Sequence, residues 1–303
     1  EIIEDDPSGA LVAAAAERHG VLFKGPIDSE AKPSDDSKSH ADLSQKWGLY
    51  ANKTIYRSLP AVPGAPAGPE MNLTLVQHWT PLVAEAGSEA SLALRYAFEM
   101  AARKNLTDIS IALPAEASEE SRAGLSAVLE GLCEKHEGVH AACRSIESIA
   151  RRLVRTPGDF DVIVASLEHG RLLASIAGGL VGGMEYVPSA HLGRKVSVFE
   201  TAHGTARQLV GKDSANPSAL LLSGTMMLRQ LGLVGYAKVI EQALPPALHD
   251  VFRKPDLGRP VPPFRTSRFT ERLRARLEAT ADPDQLDRQT VCPEPPFEAW
   301  VAA

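Results

Sequence analysis

FETAHGTARQLVGKDSANPSALLLSGTMMLRQLGL, residues 199–233, is the stretch that says most about this chain. It begins at the end of an aliphatic run, 196–199, whose β-branched and aromatic residues read as a buried strand. A His-Gly turn follows at His203 and Gly204. Asn216 and Pro217 then mark a helix start, because the amide side chain satisfies free N–H groups and the proline's missing donor costs nothing in a first turn. From there to Gly232 nearly every residue is apolar, so the helix has hardly any polar face and is expected to be central.

Working outward, helical and strand periods alternate, as in an α/β protein with crossovers. The runs 73–76, 109–113 and 161–165 read as further buried strands. Between them, 88–104 places Ala90, Leu94, Ala97, Phe98 and Ala101 on one helical face, and 118–136 does the same with Leu125, Leu129, Leu132 and Cys133, closing at Gly138. Residues 61–69 (AVPGAPAGP) form a hinge-like connection, and 281–303 a Pro-rich acidic tail with Phe297 and Trp300 near its end. Composition excludes several classes. Net charge is −6 over 303 residues, which gives no bulk attraction for nucleic acid. The uncharged run 172–184 is well short of the ~20 apolar residues of a membrane-spanning helix. Three cysteines cannot build a disulfide framework.

Taken together with DFDVIVASLEHGRLLASIAGGLVGGMEYVPSAHLG (159–193), the opening segment resembles the isocitrate/isopropylmalate dehydrogenase family, the β-decarboxylating dehydrogenases. The shared pattern is E-x-x-H-G-S/T-A leading to G-K-x-x-A-N-P and an M-M-L helix. KGPI (24–27), WGLYANKTIYRSLP (47–60) and KPDLGRPVPPFRTSRFTERL (254–273) match in the same order. The resemblance implies an α/β two-domain fold with missing opening elements and a shortened clasp. It divides the chain into a first part of the large domain at 1–52, a small inserted domain at 53–191, the second part of the large domain at 192–280, and the tail 281–303. It further implies opening elements that precede Glu1.

The family oxidises a 2-hydroxy acid with NAD(P) and then loses CO2 with help from a divalent metal. Arginines clamp the substrate carboxylates, aspartates hold Mg or Mn, and a Tyr and a Lys carry protons. At the corresponding clamp positions this chain has Ser44, Thr54 and Gln77, the last followed by His78 and Trp79. Pro114 stands where the catalytic lysine belongs, with Glu116 where an asparagine belongs; Arg171 and Ser175 replace the two aspartates of G-D-x-x-S-D. The nucleotide loop keeps His203, Gly204, Ala206 and Asn216 but carries Arg207 and Gln208 at its selectivity positions, and is expected to be vestigial.

These exchanges lead to the expectation of a chain that is not an enzyme, with no metal and no bound cofactor. Its expected role is an accessory subunit of a larger mitochondrial matrix assembly of the respiratory or ATP-synthase type, contacting other protein subunits and near a membrane only through them. The alternatives are a regulatory subunit of a hetero-oligomeric NAD-dependent isocitrate dehydrogenase, and a divergent active dehydrogenase. Two further patterns have bland readings. Cys133, His136, His140 and Cys143 have a spacing that can be drawn as a zinc site, but Cys133 falls on an apolar helix face. Arg265, Arg268, Arg272, Arg274 and Arg276 form a basic cluster read as a solvated face or, with Trp300, as a docking surface.

Overall fold

The computed structural model describes residues 10–26, 46–59, 62, 70–79, 89–113, 117–252 and 264–280. Helix α1 (Ala10–His19) leads into β1 (Val21–Phe23), followed by the strands β2 (Leu49–Arg57) and β3 (Asn72–His78). Three crossovers come next: α2 (Glu89–Arg103) to β4 (Asp108–Leu113), α3 (Glu119–Lys135) to β5 (His140–Ser145), and α4 (Ile146–Arg155) to β6 (Val162–Ser166). Helix α5 (Leu167–Leu180) then feeds the hairpin pair β7 (Pro188–Gly193) and β8 (Ser197–Thr201), and α6 (Ser218–Gln230), α7 (Val234–Phe252) and α8 (Thr266–Thr280) complete the described chain.

All eight strands join one sheet in the order β1-β8-β7-β2-β3-β6-β4-β5. The β3, β6, β4 and β5 half is parallel, which its helical crossovers require, while β3-β2-β7-β8 is antiparallel. Strand β6 shows why the runs of aliphatic residues were readable. Val162 and Val164 enter the core under α2 and α3, and Ile163 and Ala165 enter the opposite core under α4 and α5. A parallel strand covered on both sides has no polar face, so its sequence is continuous rather than alternating. Ser145 caps α4 by accepting the Ser148 N–H at 3.2 Å, which ends β5 and starts the helix without a loop.

The strand and helix expectations for 73–76, 109–113, 161–165, 196–199, 88–104 and 118–136 fall on β3, β4, β6, β8, α2 and α3. Strands β2 and β7 were not singled out, although they lie in the middle of the sheet. The expected domain boundaries at 52/53 and 191/192 fall inside them. Most of the hinge 61–69 and all of the tail 281–303 lie outside the described residues.

Helix α6 is central but not in the way its leucines suggest. Its buried residues are Ser218, Ala219, Ser223, Thr225 and Met226, while Leu221 and Leu222 are only partly covered and pack toward α7 and α8. Small residues let the helix approach β7 and β8 closely. The Ser223 hydroxyl accepts the Ser189 N–H at 3.2 Å and lies 2.6 Å from the carbonyl of Glu200, tying helix to both strands.

Candidate functional site

The register of the central strands creates the site. Asn52 in β2 stands opposite Gln77 in β3 on one side and His191 in β7 on the other, and Ser189 stands opposite Glu200 in β8. Strand alternation therefore puts Gln77, Asn52, Ser189, His191 and Glu200 on one sheet face, the face that α4 and α5 also cover. There they form a connected network. Asn52 Nδ2 donates to Ser189 Oγ at 2.8 Å and lies 3.3 Å from His191 Nδ1; His191 Nε2 lies 2.7 Å from Glu200 Oε1. Lys24, immediately after β1, pairs with the other Glu200 oxygen. The Trp79 ring stacks on His191 with centroids 6.1 Å apart and planes 23° from parallel.

Glu200 is the electrostatic centre of this network. Burial pushes its carboxyl up, but the His191 hydrogen bond and the Lys24 ammonium outweigh burial and hold it at about 2. It stays ionised, as an acceptor for two donors, at any physiological pH.

Next to the network runs the loop after β8. Thr201 Oγ1 donates to the carbonyl of His203 at 3.0 Å, and His203 Nδ1 lies 2.9 Å from the carbonyl of Gly204. The other ring nitrogen, Nε2, is buried without a hydrogen-bond partner. A Cβ added at Gly204 would meet nothing within 4 Å, and Ala206 holds a left-handed backbone with φ of +46°. Gly204 thus stands exposed beside one orphaned polar atom of His203. Such an arrangement fits the adenine nucleotide that the motif implies, with His203 as the hydrogen-bonding group. Asn216 is turned to its own helix: its Oδ1 accepts the Ser218 N–H at 3.1 Å and the Ser218 hydroxyl at 2.6 Å.

Of the exchanged motif positions, Gln77 belongs to the network face and packs on α5, where a Cβ at Gly170 would come within 2.5 Å of its amide nitrogen. Thr54, 4% exposed, donates to the Tyr56 hydroxyl at 3.2 Å in the adjoining core. Arg171 and Ser175 lie one turn apart on the exposed side of α5, with the Ser175 hydroxyl bonded back to the Arg171 carbonyl at 2.9 Å. Ser44 and Pro114 lie outside the described residues. Among the described residues no three His, Cys, Asp or Glu side chains gather as metal ligands. With a cation at 171 in addition, these residues do not fit a divalent metal.

The zinc spacing also disperses: Cys133 packs against the α2–α3 core, His136 lies 5.9 Å from the Phe98 ring, and His140 and Cys143 sit on β5. Part of the basic cluster is used internally, since Arg276 pairs with Asp250 at 2.5 Å and Arg274 with Glu278 at 2.8 Å. Sequence reasoning passed over Lys24, Asn52, His191 and Glu200 as site residues. The signal was period-two spacing, with Ser189 and His191 two apart on β7 and Glu200 in register across the hairpin.

A family model described as isocitrate/isopropylmalate dehydrogenase matches residues 81–273. An isocitrate dehydrogenase [NADP] of Thermus thermophilus is 31% identical over 243 residues, covering 74% of this chain and 48% of the relative, so the chain spans about half of that protein. A probable isocitrate dehydrogenase [NAD] subunit alpha, mitochondrial, of Drosophila melanogaster is 29% identical, covering 89% of this chain and 74% of the relative. In fold, the isocitrate dehydrogenase of Methylococcus capsulatus superposes with a TM-score of 0.72 at 24% identity, covering 88% of this chain and 84% of that one.

The expectation that the chain is not an enzyme is corrected by these matches, because the proteins it resembles in sequence and fold are named as dehydrogenases. Charged and polar groups also come together here from positions outside the exchanged ones: Lys24, His191 and Glu200 meet on the sheet face. With the family model matching well over half its length and the α/β fold superposing on a solved relative, this chain belongs to the isocitrate/isopropylmalate dehydrogenase family.

Proposed function

We propose that this chain is a dehydrogenase-fold subunit of a hetero-oligomeric, NAD-dependent isocitrate dehydrogenase-type assembly of the mitochondrial matrix, and that it holds an adenine nucleotide in the loop 203–206. The observation that carries the nucleotide part is His203: one ring nitrogen is committed to the chain, and the other is buried without a partner beside an open glycine. A buried polar atom left unsatisfied costs about 1–3 kcal/mol, which a bound base or ribose would recover. The assembly part is supported by relatives named as mitochondrial NAD subunits in Drosophila melanogaster and Caenorhabditis elegans.

Within that reading, the Gln77 amide offers directional hydrogen bonds where the family motif carries guanidinium. They suit a ligand with fewer carboxylates than a tricarboxylate, or one whose remaining charge a neighbouring subunit meets. Lys24 and Glu200 neutralise each other and fix the His191 ring, so Glu200 acts as a positioning residue.

Two measurements test the proposal. Native separation from the source organelle should find the chain migrating with isocitrate- and NAD-dependent reduction activity. Migration with a respiratory or ATP-synthase complex, and without that activity, overturns the assembly. Calorimetric titration with NADH should give binding that His203→Ala, shown to be folded by circular dichroism, weakens about tenfold, the loss of one charge-free hydrogen bond. Equal affinity in both proteins refutes the nucleotide assignment.

A further inference from the structure

Residues 202–217 connect β8 to α6 and carry the His203 turn, with a short 3-10 turn at Arg207–Leu209 inside them. Packing does little to shape this connection. Arg207, Gln208 and 210–213 are exposed, and Val210, an apolar residue at its tip, is 75% exposed. The Leu209, Val210 and Lys212 N–H groups each bond to a carbonyl three residues back. Bonds of that kind curl the chain locally and leave open where the curl sits on the body of the protein.

The hold on the body comes from α8. Thr266 N–H donates to the Asp213 carbonyl at 3.0 Å, and the Thr266 hydroxyl donates to the carbonyl of Ala215. Ser267 N–H donates to Asp213 Oδ1 at 2.8 Å and the Ser267 hydroxyl to Oδ2 at 2.6 Å, so both carboxylate oxygens are engaged across 54 positions of chain. The Ser267 hydroxyl and N–H hold the Asp213 carboxyl below its ordinary range, with the Arg265 charge adding to the effect. Helix α8 is a firm post, since Phe269 and Leu273 are buried in the core it shares with α7. Asp213 itself takes a left-handed backbone, φ +52°, a conformation that an L residue keeps where its surroundings impose it.

We propose that Asp213 is a positioning residue of the nucleotide loop: by clasping the first turn of α8 it fixes the limb 207–215 and, through that limb, the place of His203 and Gly204. The inference rests on the nucleotide reading above and adds to it a group that shapes the site without touching the ligand. Two anchors then bracket the loop. Thr201 Oγ1 holds its near end at the His203 carbonyl, and Asp213 holds its far end. With the far anchor released, the His203 ring would have to be ordered at the moment of binding, and affinity falls by the cost of that ordering.

The test uses the full chain and calorimetric titration with NADH, with circular dichroism reporting the fold. Asp213→Ala should weaken binding about tenfold, whereas Asp213→Asn, which keeps an acceptor for the Ser267 N–H, should lose at most about threefold. Because Asp213 acts through the His203 loop, the double variant Asp213→Ala/His203→Ala should bind more tightly than the product of the two single losses requires. Amide exchange at Leu209, Val210 and Lys212 should quicken in Asp213→Ala while Ile163 and Val164 keep their rates. Should Asp213→Ala fail to fold, Ser267→Ala decides, with an expected loss of about twofold to threefold from one missing donor. Absence of NADH binding by the unaltered chain overturns the nucleotide reading and this inference with it. Binding by the unaltered chain with equal affinity in a folded Asp213→Ala or in Ser267→Ala, losses that multiply in the double variant, or unchanged exchange in the loop each overturns this inference alone.

Discussion

At the scale of single residues, Glu200 shows how a buried carboxylate can be stabilising when it has enough partners. Desolvation alone would favour its neutral form, yet Lys24 and His191 together keep it ionised down to about pH 2. The consequence for stability has a definite sign. Above the ordinary carboxylate value of 4.5, Glu200 is charged in both folded and unfolded chains, and its pairing contributes in full. As pH falls from 4.5 toward 2, the unfolded chain takes up a proton that the folded chain resists, and the contribution is lost. Between pH 6 and pH 3 the native protein should lose about 2 kcal/mol from this group, at 1.36 kcal/mol per unit of displaced pKa. Denaturant midpoints of Glu200→Gln should lack that component. An identical acid slope in the two proteins would show that the network carries no net stabilisation.

Elements are held in place here by a few polar anchors within apolar packing. Helix α6 could slide along β7 and β8 if only its partly covered leucines held it. Ser223 prevents this, because its hydroxyl meets the Ser189 N–H on β7 and the Glu200 carbonyl on β8. Replacing Ser223 with alanine leaves a buried N–H and a carbonyl unsatisfied while removing little volume, so the expected cost is about 1–3 kcal/mol. Urea unfolding measures it, and Ser223→Cys should recover only part of the loss, as a thiol is a weak partner for both groups. The same substitution should also weaken nucleotide binding, since Glu200 lies in the last two residues of β8, directly ahead of the loop. A stability loss with unaltered binding would separate the two roles.

For the whole molecule, one continuous sheet joins the part built by parallel crossovers to the part built by antiparallel pairing. Its centre, around β2, β3 and β6, is covered on both faces, while β1 and β5 form the edges. Opening free energies differ across a structure according to coverage and pairing. Amide exchange should therefore be slowest at Leu75, Val76, Ile163 and Val164, approaching the global unfolding limit, and markedly faster at β5, whose residues are at most half-buried. Uniform protection across both edges and centre would show that the sheet opens only as a unit. This distribution also bears on function: the polar network around Glu200 sits on β2, β7 and β8, of which β2 and β7 lie in the middle of the sheet.

What the sequence determined by itself was whatever has a local signature. Continuous aliphatic runs marked β3, β4, β6 and β8, helical periodicity marked α2 and α3, and the Asn216-Pro217 start marked α6, because each depends on residues within a turn or two of one another. The motifs between 159 and 233 also brought the family within reach. Tertiary structure alone decided the rest. Strands β2 and β7 mix apolar and polar residues, since one of their faces lines a site, so they lack the clean pattern of a buried or half-buried strand. Lys24 and Glu200 meet across 176 positions of chain and Asn52 and His191 across 139, separations set by strand order and register that no local pattern encodes. The chemistry of the cleft could not be inferred position by position because strand pairing, rather than neighbourhood in the chain, selects which side chains share it.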